Sequence, residues 1–168
     1  MSRGTMEPQQ TPTPRVLSLS EAERFVARLR AEGRRIVFTN GVFDLLHVGH
    51  TRYLRAARSE GDALIVGINS DRSVGAIKGP RRPIVGERER AELVASLACV
   101  DAAVIFDEDD PRALITRLQP DVLVKGADWA PDAIIGRDVV EARGGRVVRM
   151  AVEQGFSTSA IIEKIRDS

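Results

Sequence analysis

The sequence predicts an α/β fold: one domain built on a five-stranded parallel sheet, doubly wound, with helices on both faces. Three observations carry this expectation. Short apolar runs rich in valine, isoleucine and alanine recur along the chain, without the polar alternation of a half-exposed strand. Segments with apolar residues at helical spacing separate them. Glycine, proline, asparagine or serine marks most of the junctions. At 168 residues the chain can bury a substantial core, and a second full domain is not expected.

Residues 1–15 are polar and rich in proline and glutamine, with no apolar stretch of the kind a signal peptide needs. They read as a disordered leader to a folded domain over residues 16–168. Ser18 and Glu21 form a capping box for a helix reaching about Glu32. Residues 35–39 are a buried strand that stops at Asn40-Gly41. Helical spacing over residues 49–60 turns Leu54 and Ala57 to the core, and Gly61 closes that helix. A second strand covers residues 63–68, and Asn69-Ser70-Asp71 opens the next helix. A helix over 87–97 and a strand over 103–106 follow, with Pro111 at the first turn of another helix. The remaining elements are a strand over 122–124, one helix over 131–143 ending at Gly144-Gly145, a strand over 146–150 and a helix over 157–166.

Composition narrows the function. Basic and acidic residues nearly balance, 25 against 24, which argues against a dedicated nucleic-acid or acidic-membrane binder. A single cysteine excludes an internal disulfide framework and a cysteine-rich zinc module, and it fits a reducing, cytoplasmic compartment. No run approaches the roughly 18 apolar residues needed to span a bilayer. Cys99 reads as a buried structural thiol and Tyr53 as a packing residue.

Histidine is the sharpest signal. The chain has two, His47 and His50, both directly after the first strand and at the start of a helix. Ligands of parallel sheets bind at the C-terminal ends of the strands. A helix N-terminus offers unpaired N–H groups and partial positive charge to a phosphate. Imidazoles three residues apart share one side of a turn, and Gly49 between them leaves room for a ligand to approach. Phosphoryl-type transfer asks mainly for positioning and for neutralisation of growing negative charge, which such donors supply. The bare spacing also admits a core hydrogen-bonding pair, or a zinc site completed by carboxylates such as Asp44.

Gly41-Val42-Phe43-Asp44 followed by His47-Val48-Gly49-His50 resembles the signature of the cytidylyltransferase-like nucleotidyltransferases, a Rossmann-like superfamily. Its members transfer a nucleoside monophosphate from a nucleoside triphosphate to a phosphate-bearing acceptor and release pyrophosphate. Over residues 37–166 the sequence is most similar to the D-glycero-D-manno-heptose 1-phosphate adenylyltransferases, in stand-alone form. The matching segments are residues 64–71, Lys78-Gly79-Pro80-Arg81-Arg82-Pro83, Glu89-Arg90, residues 124–129 and the closing residues 153–159.

The resemblance implies catalytic roles for His47, His50 and Lys78. It implies nucleotide contacts from Asn40, Gly41, Val42, Phe43, Asp44, Gly49, Arg90, Gly126, Asp128, Gly155, Ser157, Thr158 and Ser159, and acceptor contacts from Lys78 and Lys125. ATP is then a co-substrate, with Mg2+ bound through its triphosphate, in making ADP-heptose for lipopolysaccharide core synthesis. A separate sugar kinase upstream and a homodimer are also implied, with no nucleic-acid or membrane partner.

The residues themselves fit these roles to different degrees. Lys78 and Lys125 are two of only three lysines and both precede glycine, so each offers a compact cation to phosphate, although Lys125 could instead brace its loop. Arg81 and Arg82 carry forks suited to phosphate. Arg90, taken alone, reads as part of a solvated charged face with Glu87, Arg88 and Glu89. Ser157 and Thr158 are good helix caps, and Trp129 either stacks on a nucleotide or packs. A glycerol-3-phosphate cytidylyltransferase shares the histidine signature, but it carries an arginine before the closing motif where this chain has Val152. A non-catalytic nucleotide-binding module is the alternative of a different class.

Overall fold

The computed structural model describes residues 15–151 and 155–168. Chain order is β1 (Val16–Leu17), α1 (Leu19–Ala31), β2 (Ile36–Gly41), α2 (Val48–Arg58), β3 (Ala63–Asn69), α3 (Asp71–Lys78), α4 (Glu87–Ala95), β4 (Ala102–Phe106), α5 (Arg112–Leu118), β5 (Val122–Gly126), α6 (Arg137–Glu141), β6 (Arg146–Met150) and α7 (Thr158–Arg166). The strands form one parallel sheet in the order β1-β4-β3-β2-β5-β6. The chain therefore builds outward from β2 through β3 to β4, then crosses back to place β5 on the other side of β2. The switch point lies between β2 and β5.

Covering both faces explains the uninterrupted apolar strands. Alternate residues of β2 point to opposite layers: Ile36 and Phe38 join Phe25, Leu29, Leu114 and Leu118, whereas Val37 joins Leu54, Ala57, Ala91 and Val94. Ala63 and Ile65 against Leu64 and Val66 repeat the pattern in β3. The capping box is present as expected, with Ser18 N donating to Glu21 Oε2 at 2.8 Å and Glu21 N donating to Ser18 Oγ at 3.4 Å.

Three expectations change. The sheet has six strands rather than five, because Val16–Leu17 pairs with Ala103 and Val104 at the sheet edge. Two residues are too few to show a period. The leader expected over residues 1–15 lies outside the described residues except for Arg15, which belongs to the fold: its carbonyl accepts from Ala103 N and its guanidinium sits 4.6 Å from the Phe25 ring centroid. The single helix expected over 131–143 is a 3-10 turn at Pro131–Ala133 and the short α6. Gly136 separates them at φ 87°, and a Cβ there would meet Ile115 Cδ1 at 2.5 Å, so the chain turns sharply against the core.

Candidate functional site

A cleft of about 640 Å3 opens at the C-terminal ends of the strands, over the switch point. Its lining joins the ends of β2, β3 and β5 to the first turns of α2 and α7, and includes His47, His50, Lys78, Lys125 and residues 157–159. Segments far apart in the chain thus meet where the sequence placed the chemistry. Asn40, Gly41, Val42, Phe43, Asp44, Gly49, Gly126 and Asp128 also line it.

The two imidazoles stack, with ring centroids 3.8 Å apart and planes 20° apart. Phe43 supports His50 from behind, its centroid 5.2 Å away. Phe43 itself sits at φ 48°, unusual for a non-glycine residue, and its ring folds back to within 2.9 Å of where a Gly41 Cβ would lie. Burial, helped by the neighbouring His47, pushes the His50 pKa down to about 4, and burial also lowers His47. Both rings are therefore neutral at pH 7. Each Nδ1 is buried without a hydrogen-bond partner among the described residues. An orphaned N–H is costlier than an orphaned lone pair, so each proton belongs on Nε2, leaving that edge as the donor.

Two helix starts face the same space. His47 and Ser157 are the N-caps of α2 and α7, and Ser157 Oγ accepts from Ala160 N at 3.0 Å. Thr158 Oγ1 donates to Leu45 O at 3.3 Å, tying α7 to the loop before His47. The residues at 152–154, including Val152 and the Glu153-Gln154 start of the closing motif, lie outside the described residues. Gly155 follows them, exposed and at φ 89°, and is not part of the cleft lining.

Lys125 is 8% exposed at the end of β5, donates to Asn40 Oδ1 across the switch point and lies 5.8 Å from the Trp129 ring centroid. Burial lowers its pKa to about 8, against a partial offset from Asp128. At pH 7 it remains mostly cationic. It thus both braces the loop and presents charge to the cleft. Lys78, by contrast, is exposed at the last position of α3 and leans on its loop for placement.

That loop is anchored by Asp44. Its carboxylate, 2% exposed, accepts from Arg82 Nε at 2.7 Å, Ile84 N at 2.8 Å and Val85 N at 3.0 Å. Asp44 therefore acts through the Lys78 loop rather than as a free acceptor for nucleotide. Arg82 reaches the cleft and Arg81 does not.

Arg90 requires correction. It is neither on a solvated face nor at the cleft: its side chain is fully buried. Nε donates to Val85 O at 2.8 Å, Nη1 to Val42 O at 2.5 Å, and Nη2 to Asn69 O at 2.7 Å and Asp71 Oδ1 at 2.8 Å. The fork is occupied by protein acceptors and locks three loops together beneath the site. A triphosphate cannot reach it.

Tyr53 does more than pack. It lines the cleft, with its hydroxyl 2.8 Å from Thr39 Oγ1. Asn69, Ile77, Asp109, Asp110, Pro111, Ile135 and Phe156 also line the cleft, and none of them is among the residues expected to contact a ligand. Asn69 and the 109–111 segment end or follow strands, so the strand-end rule alone could have found them. Cys99 is half-buried rather than buried, and burial raises its pKa. Among the described residues no group of three or more His, Cys, Asp or Glu is placed to hold a metal ion. No described helix is long and apolar enough to cross a membrane.

Known proteins resemble this chain in sequence and in fold. The profile of the cytidylyltransferase-like family matches residues 38–164. The bifunctional protein HldE of Geotalea uraniireducens is 53% identical over 152 residues, covering 90% of this chain and 31% of that protein. HldE of Geobacter sulfurreducens is 52% identical over 151 residues, with the same coverage. The chain thus spans about a third of the length of these relatives. A lipopolysaccharide core biosynthesis protein from Thermoplasma volcanium GSS1 superposes with a TM-score of 0.62 at 30% identity, over 73% of this chain and 100% of that one. A pantoate-beta-alanine ligase from Francisella tularensis, at 14% identity and TM-score 0.62 over 92% of this chain and 78% of its own, shares the fold. Family match, switch-point cleft and paired histidines coincide: the chain belongs to the cytidylyltransferase-like family.

Proposed function

We propose that the chain transfers AMP from MgATP to D-glycero-D-manno-heptose 1-phosphate, giving ADP-heptose and pyrophosphate for lipopolysaccharide core synthesis. The observation that carries this reading is the stacked, neutral histidine pair at the start of α2, facing the start of α7 across one cleft. The likeness to HldE and to the Thermoplasma protein favours a sugar-phosphate acceptor.

An acceptor phosphate oxygen is already a nucleophile, so the protein needs no covalent intermediate. That oxygen bonds to the α-phosphorus as the bond to the bridging oxygen of the β-phosphate breaks, and pyrophosphate leaves with the electron pair. The difficulty is bringing two polyanions together. Nε2–H donors of His47 and His50 meet the charge that builds on the transferring phosphates, and the N-terminal amides of α2 and α7 add to them. Lys78 holds the acceptor phosphate beside the reacting centre. A Mg2+ ion held by the triphosphate itself would supply further neutralisation of its charge. A kinase reaction must supply the sugar 1-phosphate.

Pyrophosphate release, measured with ATP or CTP against heptose 1-phosphate or glycerol 3-phosphate, tests this reading. Heptose-dependent release with ATP is expected. Preference for CTP and glycerol 3-phosphate refutes it, and nucleotide binding without turnover on any pair favours a non-catalytic module.

A further inference from the structure

At the opposite pole of the sheet a second cavity, of about 660 Å3, is lined by five arginines: Arg30, Arg34, Arg35, Arg143 and Arg146. It lies below the N-terminal ends of β2, β5 and β6, roughly 16 Å from the cleft along β2 at the rise of a strand. The whole chain carries a net charge of only +1, so this concentration is local. Two carboxylates share the cavity, and both are engaged by backbone. Asp62 Oδ2 accepts from Arg35 N and Asp121 Oδ2 from Ile36 N, each at 2.7 Å.

Helix C-termini collect at this pole, and arginine there offsets their partial negative charge. Arg30 does so, donating to Leu118 O and Gln119 O at the end of α5. Arg34 is held by Asp62 O, and Arg146 by the carboxylate and carbonyl of Glu60. These contacts fix three forks and leave donors on each. They do not account for Arg35 and Arg143, whose side chains have no hydrogen bond or ion pair among the described residues. Gly33 and Gly144, at φ 73° and 79°, border open space: no atom lies within 4 Å of where a Cβ would stand.

We propose that this cavity binds a compact phosphate-bearing anion, of nucleotide or sugar-phosphate size, independently of the catalytic cleft. Guanidinium forks match phosphate oxygens bidentately. The volume suits a small ligand, and a concave basin favours one over an extended polyanion that would need a stripe. Two forks without a partner among the described residues and three anchored ones line the same cavity, so several donors are available to such an anion.

Titrating inorganic pyrophosphate into the full 15N-labelled chain, and following backbone amide shifts, separates the two sites. Gly33, Gly144 and Gly145 report on the basic cavity, and Gly41 and Gly49 on the cleft. Saturable shifts of the first group are expected in the native protein and in His50→Ala. In Arg35→Gln/Arg143→Gln their affinity should fall at least about tenfold, while the second group responds as in the native protein, which also shows that the variant is folded. AMP and glucose 1-phosphate, titrated alike, distinguish the sources; tighter saturation by either supports the proposal and says which part beyond phosphate is read. Absence of saturation, an unchanged affinity in the double variant, or equal shifts with sodium chloride at matched ionic strength overturns it.

Discussion

Replacing Asp44 by asparagine should loosen the loop that delivers Lys78 while leaving both histidines in place. Burial alone would raise the Asp44 pKa, but hydrogen bonds from Val85, Arg82 and Ile84 outweigh it and hold the carboxyl below its ordinary range. Its contribution to stability is therefore present at neutral pH and lost as pH falls through that lowered value. Each bond to a charged acceptor contributes about 1.5–3 kcal/mol. Asparagine keeps one oxygen, turns a donor toward groups that are themselves donors, and leaves the Arg82 fork without its counter-charge. Removing one member of a buried pair costs about 3–5 kcal/mol; with Arg82 19% exposed, water recovers some of this, and a loss of about 2–4 kcal/mol is expected. That leaves a folded protein if the native stability is the usual ~5–15 kcal/mol. Urea denaturation measures the loss, and steady-state kinetics with the acceptor varied measures its consequence, a kcat/KM reduced by about tenfold or more through misplaced Lys78. A stability loss under about 0.5 kcal/mol, or an unchanged kcat/KM, would refute the bracket role of Asp44.

Arg90→Lys should destabilise the fold by about 3–5 kcal/mol, because one ammonium cannot span carbonyls of Val85, Val42 and Asn69; a thermal midpoint equal to the native one contradicts the locking role. Gly49→Ala places a Cβ 3.0 Å from His47 Nδ1 and 3.1 Å from Phe156 Cβ. The ring must yield, so kcat should drop by about tenfold or more with little change in the urea midpoint, and native kcat would show that ring position is not critical. His50 binds its proton only near pH 4 when folded, against 6.5 ordinarily. As pH falls from 6.5 toward 4 the unfolded chain takes up a proton that the folded chain refuses, so stability declines across that window. Urea midpoints from pH 7 to 4 should show a shallower decline in His50→Gln, and parallel curves would contradict the buried neutral assignment.

Much of this site was legible because it obeys local rules. The run into Asn40-Gly41, the histidine spacing and the Ser157 cap each announce a strand end or a helix start, and a parallel sheet brings such places together. What stayed hidden depends on tertiary contact. Gly136 is compatible with a helix on paper, and only the proximity of Ile115 shows why the helix breaks there. Arg90 sits in a charged stretch whose apolar stripe it interrupts, so nothing local tells that this arginine is the one turned inward. Tyr53 could be assigned to the core by its ring, whereas its hydroxyl contact with Thr39 comes from the neighbouring strand. The five arginines of the second cavity are scattered between positions 30 and 146 and form no linear motif.

The central claim is that the stacked, neutral histidines donate hydrogen bonds that stabilise the charge building on the transferring phosphates. Pyrophosphate release by His50→Ala, with ATP and heptose 1-phosphate saturating, tests it most directly. A rate lowered by about 10²–10³ in a variant with a native urea midpoint is predicted. Near-native turnover by that folded variant would contradict it.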